Sequence, residues 1–282
     1  MRIVAYIDQS AYAPSVCSHA VWAAQRLGMP VELVHAISLP ASSENRDLSG
    51  YFAIDAPESV LEDRVQLDET RNRAIVEDGH RLLDTAAGAI RTEGVTQVSQ
   101  RLFQGTISEH LQQHHDEIAL VVVGKRGEDA ARDPNHLGSN IERVVRSAHR
   151  PVLISALTFE PFERAIIAWD GGRSVTEAVR FISTHELLAG VATTLLHVGD
   201  GRGSGLSARE DVRRQLESGG IPVDIVQRTG PVTETILQIA SELPADLVVM
   251  GAYGHSRIRQ LVVGSTTTEV LLACPCSVLV VH

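Results

Sequence analysis

At 282 residues the chain is longer than a usual single domain, and two domains of about 140 residues are expected. A hydrophobic content of 44% with mean hydropathy near zero describes a soluble globular protein able to bury a core in each half. The net charge is −10, and basic and acidic residues number 15 and 21 up to Leu157 and 10 and 14 beyond it. Neither half is basic, which argues against nucleic acid as a partner.

No apolar run is long enough to span a bilayer, and Arg2 leads straight into a strand-like run with no signal-peptide pattern. A cytoplasmic protein with no membrane partner is expected. Three cysteines, Cys17, Cys274 and Cys276, are too few for a disulfide framework. Cys274-Pro275-Cys276 is a CxC rather than a CxxC and reads as the entry to a buried strand, not as a metal or redox motif.

In chain order, a short apolar run over residues 2–8 ends in Asp8. Apolar residues at Val16, Ala20, Trp22, Ala23 and Leu27 then predict a helix that Gly28 stops. A β-rich second strand covers 31–37, and 38–57, with its prolines and serines, reads as a loop. A long polar helix is expected over 58–93, with Gly79 and Gly88 as candidate break points. A third strand over 95–103, a helix over 106–115, and strands over 118–123 and 152–155 complete this half.

From Arg164 the pattern restarts. Ala165-Ile166-Ile167-Ala168-Trp169-Asp170 mirrors the opening strand and its aspartate, and a helix over 174–189 follows. Thr193 to Val198 mirrors Glu32 to Ala36, with His197 in the place of His35. Gly230 to Ile236 matches Gly105 to Leu111, and strands over 247–250 and 278–281 return as the fourth and fifth. The chain is thus a tandem duplication joined near 156–163, with domains over 1–157 and 162–282. Alternating strands and helices predict two doubly wound parallel α/β sheets, in which ligands bind beyond the strand tips where strand order reverses.

The fourth strand of the second half opens into a glycine loop: Gly251, two residues, Gly254, nine residues, then Gly264-Ser265-Thr266 at a helix start. Glycines admit a close backbone approach and a helix N-terminus offers unpaired N–H donors, so a phosphate-sized anion gives the arrangement its purpose. Arg257 and Arg259 lie inside the loop, either as phosphate partners or as solvated residues. The first half bends the same plan: Gly124-Lys125-Arg126-Gly127, ten residues, then Gly138-Ser139-Asn140. Acidic residues and Pro134 fill the interval and weaken the case for an anion there. Lys125, the single lysine of the chain, lies where a cation would help, or stands there by chance.

Strand-Asp, strand-His-Val and the spaced glycines followed by Ser-Thr together resemble the universal stress protein family, over nearly the whole chain. The resemblance implies two five-stranded, Rossmann-like domains of the adenine nucleotide alpha-hydrolase type, each with room for ATP across the tips of its first and fourth strands. It implies that Asp170 meets the adenine or its neighbourhood, that Val198 lines the base pocket, and that Gly251, Gly254, Gly264, Ser265 and Thr266 wrap the ribose and phosphates. In the first half the matching positions are Asp8, Ala36, Gly124, Gly127, Gly138, Ser139 and Asn140. It further implies ATP, with or without Mg, as ligand, regulation by nucleotide occupancy, contact between the domains through their fifth strands, and a homodimer with unidentified protein partners.

Other signals are weaker. His110 and His114, at i, i+4 spacing, suit zinc on paper but read as the solvated end of a polar helix. His35 and His197 read as histidines held at a strand end. The glycine loop lacks the lysine of a Walker A motif, and no nucleophile elbow or carboxylate pair stands at a credible position, so at most slow, incidental hydrolysis is expected. A nucleotide-free interaction module and a nucleotidyl-transfer enzyme are the alternatives.

Overall fold

The structure is a computed structural model and describes residues 1–39, 58–127, 139–199, 205–252 and 264–282; the side chains of 58–65, 139–140 and 205–206 are not described. The first half runs β1 (Arg2–Tyr6), α1 (Ala13–Leu27), β2 (Val31–Ile37), α2 (Glu58–Thr92), β3 (Val98–Gln104), α3 (Ile107–His114), β4 (Ile118–Gly124), α4 (Ser139–Ser147) and β5 (Val152–Ser155). The second runs β6 (Arg164–Ala168), α5 (Arg173–Thr184), β7 (Ala192–Val198), α6 (Gly205–Ser218), β8 (Val223–Arg228), α7 (Val232–Glu242), β9 (Leu247–Gly251), α8 (Ser265–Ala273) and β10 (Ser277–Val281).

All ten strands lie in one sheet, ordered β3-β2-β1-β4-β5-β10-β9-β6-β7-β8. Within each half every pairing is parallel, as the strand-helix alternation requires. The halves meet at the single antiparallel pair, β5 with β10, in which Leu153 faces Leu279. Both strands are buried along their length. Each half alone would end in a flat apolar edge, and mutual pairing removes both edges at once. The expected contact through the fifth strands is therefore present within one chain. Because β10 runs against β5, the carboxyl ends of the two sets of strands point to opposite ends of the sheet.

Sequence and structure differ in instructive places. The helix α2 runs unbroken through Gly79 and Gly88. A Cβ at Gly79 would lie 2.6 Å from the Leu102 side chain, so this glycine lets the helix settle on β3. With Leu83, Ala86, Ala87 and Ile90 it forms one buried stripe on an otherwise polar helix. The joint between the halves is anchored: Phe162 packs on Trp22 with ring centroids 4.6 Å apart, and Phe159 on His19 at 4.8 Å.

Candidate functional site

In both halves an aspartate stands two residues beyond the first strand, at a position set by the second strand. The Nδ1–H of His35 donates to the carbonyl of Ile7 at 2.8 Å, and that of His197 to the carbonyl of Trp169 at 3.1 Å. Each imidazole thus fixes the peptide just before the aspartate, the structural role that the sequence suggested. Asp8 and Asp170 then fold back on their own chain, accepting from the N–H of Ser10 at 3.0 Å and of Gly172 at 2.7 Å. These short turns aim the strand tip over the crevice between β1 and β4, and between β6 and β9.

The glycines at the fourth-strand tips have a packing reason that the sequence did not disclose. A Cβ at Gly251 would stand 2.8 Å from the Ser174 Cβ, and one at Gly124 would stand 2.7 Å from the Tyr12 Cβ. Each glycine lets the start of the helix after the first strand of its half, α5 or α1, close onto the fourth strand. Gly127 is crowded differently: its Cβ would lie 2.8 Å from the Asp8 carboxylate, so this loop and the aspartate are in contact.

At α8, Gly264 occupies the N-cap position, and among the described residues no side chain caps the helix. The N–H groups of Ser265, Thr266 and Thr267 therefore have no partner within the helix and carry its positive dipole end. Thr267 turns inward, and its hydroxyl donates to the Gly251 carbonyl at 3.1 Å, fixing the helix start against the tip of β9.

A cavity of about 320 Å³ opens between these elements in the second half. Asp170, Val198, Gly251, Gly264, Ser265 and Thr266 all border it, although they span 97 residues of sequence, from 170 to 266. A cavity of about 430 Å³ occupies the same place in the first half and is bordered by Asp8, Ala36, Gly124 and Gly127. Both volumes lie within the range of small-molecule sites. Gly254 and Gly138, with Arg257 and Arg259, lie outside the described residues, as do the side chains of Ser139 and Asn140 at the start of α4.

Several wall residues escaped sequence reasoning. Ile107 and Val232, at the starts of α3 and α7, face the two cavities from equivalent positions. The match of Gly105–Leu111 to Gly230–Ile236 carries that signal. Val232, an apolar side chain, is 44% exposed at the cavity rim among the described residues. Met250 and Trp169 add apolar wall in the second half, while Arg126 and Arg143 bring positive charge to the first.

The structure decides between the two readings of Lys125 and corrects that of His110. Lys125 does not turn into the cavity: it is 9% exposed and donates from Nζ to the carbonyl of Cys274 in the other half. His110 is not solvated but fully buried, sharing a 2.8 Å hydrogen bond with the Tyr6 hydroxyl. Burial first, and the neighbouring His114 second, hold its pKa down at about 4, so it is neutral near pH 7. Among the described residues no group of three or more His, Cys, Asp or Glu side chains is arranged to hold a metal, and no helix is long and apolar enough to cross a membrane.

A model of the Universal stress protein family matches residues 1–155 and 201–282. The chain belongs to that family. Universal stress protein Slr1230 of Synechocystis sp. is 28% identical over 274 residues, 96% of each chain. The shorter universal stress protein Sll1654 of the same organism is 29% identical over 145 residues, covering 49% of this chain and 92% of its own. A universal stress protein structure from Archaeoglobus fulgidus superposes over 100% of this chain and 98% of its own, with TM-score 0.71 and 18% identity. The protein is thus a tandem universal stress protein, with two α/β domains of this family in one chain.

Proposed function

We propose that this universal stress protein binds an adenine nucleotide, ATP with or without Mg, and that occupancy of the site is a regulatory state in a stress response. The domain division is 1–157 and 162–282, and the second domain holds the principal site. The carrying observation is the convergence, on one 320 Å³ cavity, of Asp170, Val198, Gly251 and the uncapped α8 start at Gly264-Ser265-Thr266. A carboxylate suits an exocyclic amine or ribose hydroxyl, an apolar wall suits a base, and free helix amides suit phosphate oxygens. These residues fit the nucleotide without a geometry being imposed on it.

The first domain offers a second cavity in which Arg126 and Arg143 supply positive charge, so one or two nucleotides per chain are both compatible with the fold. We place the protein in the cytoplasm. A homodimer of whole chains would use a surface other than the fifth-strand edges, because β5 and β10 already consume each other.

The test is direct. Purified protein is acid-precipitated and the supernatant examined for adenine nucleotide, and melting is followed with and without Mg-ATP. Saturation near one hundred times Kd raises stability by about 2.7 kcal/mol. Asp170→Ala and Val198→Trp should remove most of that gain. Absence of nucleotide together with an unmoved melting temperature would overturn the reading in favour of a nucleotide-free interaction module.

A further inference from the structure

The tip of the first-half strand β4 and the end of α8 meet in a cluster that the nucleotide reading does not use. Cys274 is the C-cap of α8 and Cys276 stands just before β10, with Pro275 between them. Their sulfur atoms are 3.2 Å apart. Lys125, the single lysine of the chain, reaches this spot from the first half and donates to the Cys274 carbonyl. We propose that Cys274, Cys276 and Lys125 form a dithiol site that hydroperoxides oxidise to an intrachain disulfide. The proposal is independent of the nucleotide reading.

Lys125 is 9% exposed, and among the described residues no salt bridge pairs it with a carboxylate. A buried charge without a counter-charge is costly, and the adjacent thiol pair is the nearby source of one. The Cys274 thiol is held down at about 7, first by the hydrogen bond from Cys276 and further by Lys125, while Cys276 is pushed up. One proton therefore leaves the pair near neutral pH and the other is shared between the sulfurs. A thiolate is the nucleophilic form of cysteine. Cys276 is half-buried while Cys274 is buried, so a small oxidant reaches the pair from the Cys276 side. Cys17 is a built-in contrast: burial raises its thiol to about 11, and it has no sulfur partner among the described residues.

The chemistry balances. The thiolate sulfur attacks one oxygen of the hydroperoxide: an S–O bond forms, the O–O bond breaks, and the leaving alkoxide or hydroxide takes a proton from water. The second thiol then attacks the sulfenic sulfur. The S–S bond forms and the S–O bond breaks, and the departing hydroxide leaves as water with the proton of that thiol. Two thiols are oxidised by two electrons and one hydroperoxide is reduced to an alcohol and water, or to two waters for hydrogen peroxide. The sulfurs need to close from 3.2 Å to the disulfide length of about 2.05 Å.

The test uses the full chain, limiting hydrogen peroxide at neutral pH, denaturing alkylation with N-ethylmaleimide, and peptide mass spectrometry. The peptide carrying Cys274 and Cys276 should lose two hydrogens and resist alkylation until reduced, while Cys17 stays alkylatable throughout. The oxidation rate should rise with pH about a midpoint near 7. Lys125→Ala should raise the midpoint and slow oxidation at pH 7, by about fivefold for a midpoint one pKa unit higher, and Lys125→Arg should restore it. A peptide that keeps both thiols alkylatable, or gains oxygen without an S–S bond, overturns the proposal. So does a wild-type midpoint in the ordinary thiol range of about 8.5, a readout that needs no variant to fold.

Discussion

His19 and Ser277, 258 positions apart in the chain, share a 2.7 Å hydrogen bond that ties α1 of the first domain to β10 of the second. The direction of the bond follows from the partners. His19 Nδ1–H donates to the Ser15 carbonyl at 2.7 Å, so its Nε2 accepts from the Ser277 hydroxyl, whose oxygen in turn accepts from the Ala156 N–H at 3.0 Å. Every member is buried or half-buried, which makes the chain of bonds worth more than its exposed equivalent and costly to disrupt.

This arrangement predicts an acid-sensitive joint. Burial lowers the His19 pKa from its ordinary 6.5 to about 4, so the unfolded chain binds a proton that the folded one refuses. Stability from this group is complete above about pH 6.5 and is lost as pH falls toward 4, by about 2 to 3 kcal/mol. Denaturant unfolding at pH 7 and pH 4.5 checks this: His19→Gln should show a smaller drop between the two than wild type, and an equal drop refutes it.

The glycines at the fourth-strand tips should matter without any ligand. Gly251→Ala sets a methyl 2.8 Å from the Ser174 Cβ, and Gly124→Ala sets one 2.7 Å from the Tyr12 Cβ. Each should cost about 1 to 3 kcal/mol in ligand-free protein by overpacking a helix start. Wild-type melting temperatures in both variants would return these glycines to a purely ligand-facing role.

Val232→Ala should separate binding from stability. At 44% exposure the side chain contributes little to the fold, so melting should hardly move. If a base covers it, loss of two buried carbons weakens nucleotide binding by up to about tenfold. Titration calorimetry on the variant decides, and an unchanged Kd would mean that α7 does not touch the ligand.

Thermal unfolding of the whole chain should show one transition. The β5–β10 pair, the His19–Ser277 bond and the Phe162–Trp22 contact join the two domains through buried groups rather than through a wet interface. Two well-separated calorimetric peaks would show that the domains unfold on their own.

Much of this protein is written locally. The strand-aspartate repeat at Asp8 and Asp170, the helical stripe of α1 and the glycine spacing after Leu247 each depend on neighbours a few residues away, so the sequence alone determined the class of fold and the duplication. Where the reading failed, the deciding partner was far off in the chain. The helix α2 passes through Gly79 because Leu102 presses on it, His110 is buried because Tyr6 and Phe103 close over it, and Lys125 leaves its loop because Cys274 waits in the other domain. The glycines followed the same rule: their spacing pointed to a close approach, but only the packed helix starts at Ser174 and Tyr12 showed what approaches. Composition and periodicity report a residue's own preferences, whereas desolvation, charge compensation and steric contact belong to pairs that only the tertiary structure brings together.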